Sequence, residues 1–315
     1  MPSVIIQSPG LLTTIQDSGR IGYQRFGIPV SGAMDTYSLQ LANALVGNHP
    51  DAACLEITIA GPEIIFTGTG AIAISGADMR PAINGKPVPN NKTIGVKSGD
   101  ILIFKGLKSG CRSYIAFAGG INVPPVMGSR STYLRAKIGG LEGRALRAGD
   151  EIPLGVYLGK LSIMEIPGEM VLSYKSNQTI QIIPGPEVHR FDPEGVYNFL
   201  TSDYIVTEQS DRMGYRLSGN PVRHQQGDAD IISAGISFGT IQIAGDGQPI
   251  ILMADRQTTG GYTRIANVVS VDLTLAAQLK PGDKIRFCEI TLEKAQALYI
   301  ARLRKLERWY DSMKV

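Results

Sequence analysis

The chain has 315 residues, 43% of them hydrophobic and 19% charged, with 37 glycines and 18 prolines. That length suits two domains with a sizeable core, and the glycine and proline content marks many turns between short strands. The net charge of +3 sits entirely in residues 301–315, where Arg302, Arg304, Lys305, Arg308 and Lys314 outnumber Glu307 and Asp311; the rest is neutral, with no electrostatic footprint for nucleic acid or an anionic membrane.

Cys54, Cys111 and Cys288 are widely spaced, with no CxxC or Cys/His cluster. This argues against a zinc site or a disulfide framework and fits a reducing compartment. The first basic residue is Arg20, so no cationic segment precedes an apolar one as a signal peptide requires. No apolar run approaches the roughly 18 residues of a membrane span. The expectation is a cytoplasmic protein without a metal site.

Along the chain, GIPVSGAMDTYS (27–38) leads into a first helical pattern. Residues 34–46 place Met34, Leu39, Ala42, Leu45 and Val46 near one face, with Gly47 free to take the left-handed cap. Ser31 or Asp35 can cap this helix; the functional alternative has its N-terminus facing a ligand. AIAIS (71–75), IQIIP (180–184), TIQIA (240–244) and PIILMA (249–254) read as short strands. The sequences VKSGD, LKPGD and RAGDEIPLG each place a Gly-Asp turn before a strand. Residues 292–313 carry Leu292, Ala295, Tyr299, Leu303, Leu306, Tyr310 and Met313 at helical spacing. Long helical patterns between the strands are mostly missing, which argues against a parallel α/β fold.

The chain also repeats itself. SGRIGYQRFGIPV (18–30) returns as SDRMGYRLSGNPV (210–222) with seven of thirteen positions identical, including Arg20/Arg212 and Tyr23/Tyr215. Chance gives about one match. Residues 68–78 match 245–255, pairing Asp78 with Asp255, and 96–104 match 279–287, all in the same order. The predicted architecture is mainly β: two related barrel-like halves in tandem, divided near 158–178, with a few helices and a long one at the end.

Two donor-rich stretches stand out from the repeat. Residues 119–140 have no counterpart in the second half; there Arg130, flanked by Ser129, Ser131 and Thr132, suits a carboxylate or phosphate. Hydroxyls capping a surface loop explain the same residues equally well. In ADRQTTGGYTR (254–264), the amides of Gly260 and Gly261 with Thr258, Thr259 and Tyr262 can form an anion-binding concavity, or a plain glycine turn. Asp78 and Asp255 precede corresponding loops and are expected to orient cations such as Arg80 and Arg256, or to serve the turns. GISFG (235–239) matches a nucleophile-elbow pattern, but a strand pattern follows it where the elbow requires a helix, which argues against Ser237 as a nucleophile. His49, His189 and His224 lack ligand spacing, and no Walker loop is present.

In order, TTIQDSGRIGYQRFGIPVSGAMD, FAGGINVPPVMGSRST, SDRMGYRL and QTTGGYTRIANVV resemble the C subunit of the prokaryotic ATP-dependent 5-oxoprolinase, the KipA family. The same module occurs as the second allophanate-hydrolase-like domain of urea carboxylase. The likeness runs from about residue 4 to about 290, with Thr263 where the family usually has proline. It implies cyclophilin-like β-barrel halves at 1–165 and 166–290 and a C-terminal helix at 291–315. It further implies ATP-driven hydrolysis of 5-oxo-L-proline to L-glutamate, together with a KipI-like B subunit and a LamB/YcsF-type A subunit. ATP, with or without Mg2+, is then held in the complex rather than by a motif here.

A biotin-dependent carboxyltransferase component is the alternative, although the chain has no biotin-accepting MKM-like segment and would need a separate carrier. A non-enzymatic antagonist of a KipI-type kinase inhibitor is another. The candidate site takes Arg130, Arg212 and Asp255 as catalytic. Ser129, Ser131, Thr132, Thr258, Thr259, Gly260, Gly261, Tyr262, Asp35 and Asp78 are its candidate substrate or phosphate ligands.

Overall fold

A computed structural model describes residues 2–157, 162–225, 227 and 229–312. The chain divides into two compact units, one of residues 1–21 and 31–173, the other of 22–30 and 174–315.

The first unit is built from two antiparallel sheets. One has the strand order Glu151–Pro153, Ser3–Ser8, Glu63–Phe66, Ile101–Phe104, Pro81–Ile83, Lys86–Pro87. The other runs Leu12–Gln16, Cys54–Thr58, Ser109–Phe117, Gly70–Asp78, Thr93–Val96. Alternation along each strand sends Val4, Ile6, Ile57, Ile64, Ile72, Ile74 and Ile115 into one core. Helix Thr36–Leu45 packs on the second sheet, against Gly70–Asp78 and Ser109–Phe117.

In the second unit the sheet closes. Asn177–Pro184 pairs in parallel with Lys284–Glu289, and the order continues through Tyr204–Val206, Gly214–Ser218, Pro249–Leu252, Thr240–Ile243 and Thr259–Val268, which pairs back with Asn177–Pro184. Closure leaves this ring of seven strands without a free edge, and Asp230–Gly235 adds outside it on Thr259–Val268. Phe287 stacks on Phe199 of helix Pro193–Thr201 at 4.6 Å. That helix went unread in the sequence, although Asp192 as N-cap and Pro193 in the first turn are its start signals.

The mainly β architecture and the long terminal helix, Leu292–Ser312, agree with the sequence reading. Met313, the last residue of the expected helix, lies outside the described residues. The first helix spans Thr36–Leu45 rather than 34–46, because Asp35 is its N-cap: its carboxylate accepts from the Ser38 amide at 3.0 Å. Gly99, Gly149 and Gly282 of the three Gly-Asp turns all have φ between 86° and 88°. In each, the aspartate accepts the amide three residues earlier: Asp100 from Lys97, Asp150 from Arg147, Asp283 from Lys280. The two copies of the longest repeat differ in form. Residues 214–218 are a strand, whereas 24–26 form a short 3-10 turn.

Candidate functional site

In the first unit the Ser129–Thr132 segment is organised by a residue the sequence reading passed over. Asp17 Oδ1 accepts from the Ser129 hydroxyl at 2.6 Å, the Ser131 hydroxyl at 2.5 Å and the Gly19 amide at 2.8 Å. Its Oδ2 accepts from the Arg130 amide at 2.5 Å. Charge-assisted bonds of this kind are short and strong, and here one carboxylate fixes a loop more than 100 residues away in sequence. The Thr132 hydroxyl donates to the Ile15 carbonyl at 3.0 Å. Ser129, Ser131 and Thr132 are buried, so their hydroxyls build the loop from inside. The half-buried Arg130 donates through Nε to the Val123 carbonyl at 2.8 Å.

Arg20 completes this arrangement. It is fully buried and donates to the carbonyls of Val126 at 3.0 Å and Ser131 at 2.7 Å. The glycine pair 139–140 presses on the same place. A Cβ on Gly139 would lie 2.0 Å from the Ser131 oxygen, and one on Gly140 would lie 2.0 Å from the Thr132 hydroxyl. Both glycines also have positive φ, so no other residue fits easily here.

The repeat makes Arg212 the counterpart of Arg20, and Arg212 is likewise buried. It grips Asp255 in a bidentate pair, Nε to Oδ2 at 3.0 Å and Nη2 to Oδ1 at 3.1 Å, with both side chains 6% exposed. The expectation that Asp255 orients Arg256 is therefore corrected: its two oxygens face Arg212. Arg256 instead donates to the carbonyls of Met253 at 3.2 Å and Ile236 at 3.4 Å and lies over the Phe238 ring at 5.6 Å. Burial lowers this guanidinium to about 10, against the pull of Asp255. A partly desolvated cation held by carbonyls and an aromatic face still carries charge for an anion.

Gly260 and Gly261 do not form the expected concavity of successive amides. They lie in the extended strand Thr259–Val268, neither at positive φ, and Gly260 pairs with Ala234. Successive amides of an extended strand face opposite edges, so they cannot converge on one anion. Thr258 is half-buried, while Thr259 and Tyr262 are exposed, Tyr262 by 41%. Thr263, where proline is usual, is fully buried and its hydroxyl lies 2.8 Å from His224 Nε2.

Asp35 is fully buried, with both oxygens bonded to Ser38; it is a cap and reaches no solvent. Beside it, Tyr114 donates to Glu56 at 2.7 Å and accepts from the Asp35 amide at 2.8 Å. Burial, then the two nearby carboxylates, push the Tyr114 hydroxyl well above its usual range, so it stays protonated. Asp78 accepts from the Arg80 amide and from Lys108, both at 3.0 Å. Those donors outweigh its burial and hold its carboxyl below the usual range. The Arg80 guanidinium binds elsewhere, at the Gly106 carbonyl.

Arg130 with its serines thus belongs to the first unit, and Arg212, Asp255, Arg256, Thr258, Thr259 and Tyr262 to the second. Asp17 is not among the residues singled out from the sequence, although it lies within TTIQDSGR, and Arg256 enters there only as a cation for Asp255 to orient. No group of three or more His, Cys, Asp or Glu among the described residues is placed to hold a metal.

A family model described as carboxyltransferase domain, subdomain A and B, matches residues 26–289. The chain is 42% identical over 286 residues to the C subunit of the 5-oxoprolinase of Escherichia coli (strain K12), covering 91% of each. It is 36% identical to the Haemophilus influenzae protein of the same name, covering 96% of this chain and 94% of that one. The crystal structure of the K. lactis urea amidolyase superposes with a TM-score of 0.91 at 33% identity. That match covers 97% of this chain but only 20% of the larger protein.

Proposed function

Because the chain belongs to the family of 5-oxoprolinase C subunits, within the wider carboxyltransferase A-and-B family, we propose that it is the C subunit of a 5-oxoprolinase. The observation that carries this reading is 42% identity spanning 91% of both chains. The reaction is hydrolysis of 5-oxo-L-proline to L-glutamate, with ATP cleaved to ADP and phosphate, performed with the A and B subunits.

A five-membered lactam is a resonance-stabilised amide, and its carbonyl resists water. Transfer of the terminal phosphoryl group to the lactam oxygen releases ADP and makes the ring carbon electrophilic. Water adds there and the C–N bond opens to the amine, leaving an acyl phosphate; a second water attacks the same carbon, and phosphate leaves with the former lactam oxygen, giving the carboxylate. Such chemistry needs fixed donors around developing phosphate charge more than a nucleophile. The donor set of this chain fits that need. Within the first unit Arg130 is the cation available to an anionic group, and within the second Arg256 is, with Thr258 and Thr259 following it in the same stretch. Asp17 and the Arg212–Asp255 pair act as positioning groups that fix the two loops. ATP binding is assigned to the assembled complex.

A carboxyltransferase role is the second reading, supported by the TM-score of 0.91 against urea amidolyase. Reconstitution separates the two. The chain is purified with its B and A partners, and 5-oxoproline-dependent release of phosphate and glutamate is measured. Release by the complex, with little from this chain alone, supports the proposal. Carboxyl transfer from a carboxybiotin carrier without oxoproline hydrolysis favours the second reading.

A further inference from the structure

Helix Leu292–Ser312 is held to its own unit along one stripe. Ala295 and Leu298 pack on Val269, Val271 and Ile290, and Arg302 donates through Nη1 to the Val271 carbonyl at 2.5 Å. Further along, Leu306 and Trp309 are buried. With 3.6 residues per turn these five positions share one side of the helix. About a quarter turn away runs a second stripe, Leu292, Gln296, Tyr299 and Leu303, with Ile300 at its margin. Leu292, Tyr299, Ile300 and Leu303 are 38–53% exposed, and Gln296 is exposed with them. The spacing of four, three and four residues is that of a coiled-coil seam. An apolar stripe running about 18 Å along a helix marks a surface for a further partner.

The charges around this stripe identify the partner. Residues 289–294 carry Glu289 and Glu293 against Lys294. Residues 302–311 carry Arg302, Arg304, Lys305 and Arg308 against Glu307 and Asp311. The helix therefore starts acidic and ends cationic, and it complements a copy of itself laid antiparallel. A parallel pair would set the two cationic halves side by side, which like charges oppose.

We propose that this stripe is a dimer interface, in which two copies of helix Leu292–Ser312 pair antiparallel across a two-fold axis near residues 297 and 298. In that register Leu292 faces Leu303 of the second copy, and Gln296 faces Tyr299 of the second copy. Glu289 and Glu293 lie toward the cationic half of the other helix. The interface is isologous, so every contact occurs twice. Gln296, the polar member of the seam, fixes the register at some cost in affinity. Two stripes of three turns bury less than a standard interface, so the dimer dissociates at micromolar rather than nanomolar concentration. The inference goes beyond the function proposed above and does not rest on it.

The test is sedimentation equilibrium of the full chain alone between about 1 and 100 µM, where a monomer–dimer equilibrium with Kd on the order of 10 µM is expected. Tyr299→Lys and Leu303→Lys should each weaken the dimer roughly tenfold or more, since each removes an apolar contact twice and adds charge to the seam. Both side chains are exposed in the single chain, so circular dichroism and thermal midpoint should stay as they are. Orientation is read by crosslinking with a short bismaleimide. Cys288, exposed, is first replaced by serine, while Cys54 and Cys111 are buried. Gln296→Cys, close to the axis, should then link to its copy. Leu292→Cys should not, because the antiparallel register sets it about 16 Å along the helix from its copy. A chain that stays monomeric throughout this range overturns the inference, even if the same stripe binds a different protein. A dimer that both lysine variants leave intact overturns it as well, and efficient linking of Leu292→Cys overturns the antiparallel register.

Discussion

Replacing Asp255 by Asn tests whether the Arg212–Asp255 pair builds the second unit or performs chemistry. Two parallel bonds of 3.0 and 3.1 Å join side chains that are each 6% exposed, and the Asp255 amide donates to the Arg212 carbonyl at 2.8 Å. Removing one charge leaves the other buried without its partner, which costs about 3–5 kcal/mol. For a unit of this size each kcal/mol moves the midpoint by about 2–4 °C, so melting should fall by about 6–20 °C. Arg212→Met should cost a similar amount. The double variant Arg212→Met/Asp255→Leu should recover most of the loss, because an apolar pair replaces a desolvated ion pair at little net cost. Urea denaturation and thermal melts of these proteins, with Asp255→Leu alone added to close the cycle, should give a coupling of about 2 kcal/mol or more. Single variants within about 1 kcal/mol of the parent would refute the reasoning. If they also lost turnover in the complex, the pair would be catalytic rather than positioning.

Asp17→Asn should destabilise the first unit by about 2–4 kcal/mol, since four donors lose a charged acceptor; denaturant midpoints show it, and an unchanged midpoint overturns the anchoring role. Arg130→Ala should cost the complex about 2–4 kcal/mol of transition-state stabilisation, read from kcat/KM, while stability stays within about 1 kcal/mol. Full activity would remove Arg130 from the site. The Arg144 guanidinium holds the Asp150 carboxyl below the usual range, and Arg264 does the same for Glu187. Unfolded carboxyls titrate near pH ~4, so this stabilisation is complete above that pH and lost as pH falls through the lower folded values. Asp150→Asn and Glu187→Gln should therefore flatten the acid limb of stability against pH, and an unchanged limb contradicts the assignment. Deleting residues 301–315 removes the buried Leu306 and Trp309, at about 2–5 kcal/mol for each such side chain. A truncated chain of unchanged thermal stability would show that this helix does not support the fold.

The sequence by itself determined what depends on near neighbours and on periodicity. Three Gly-Asp turns share one φ because only glycine takes that conformation without strain, and Asp35 caps its helix because the donor is three residues away. Strand alternation and the missing helical patterns were enough for a mainly β chain. Partners far apart in sequence were decided only by the tertiary structure. Ser129 and Ser131 look like ligand donors until Asp17, 112 and 114 residues away, takes both hydroxyls. Asp255 has a cation as its immediate neighbour, Arg256, yet its oxygens face Arg212, 43 residues back. The parallel closure of Asn177–Pro184 with Lys284–Glu289 follows from packing of the whole second unit. Donor and acceptor types are written in the residues, but which of them meet is settled by burial, where each buried polar group must find whichever partner the fold brings within reach.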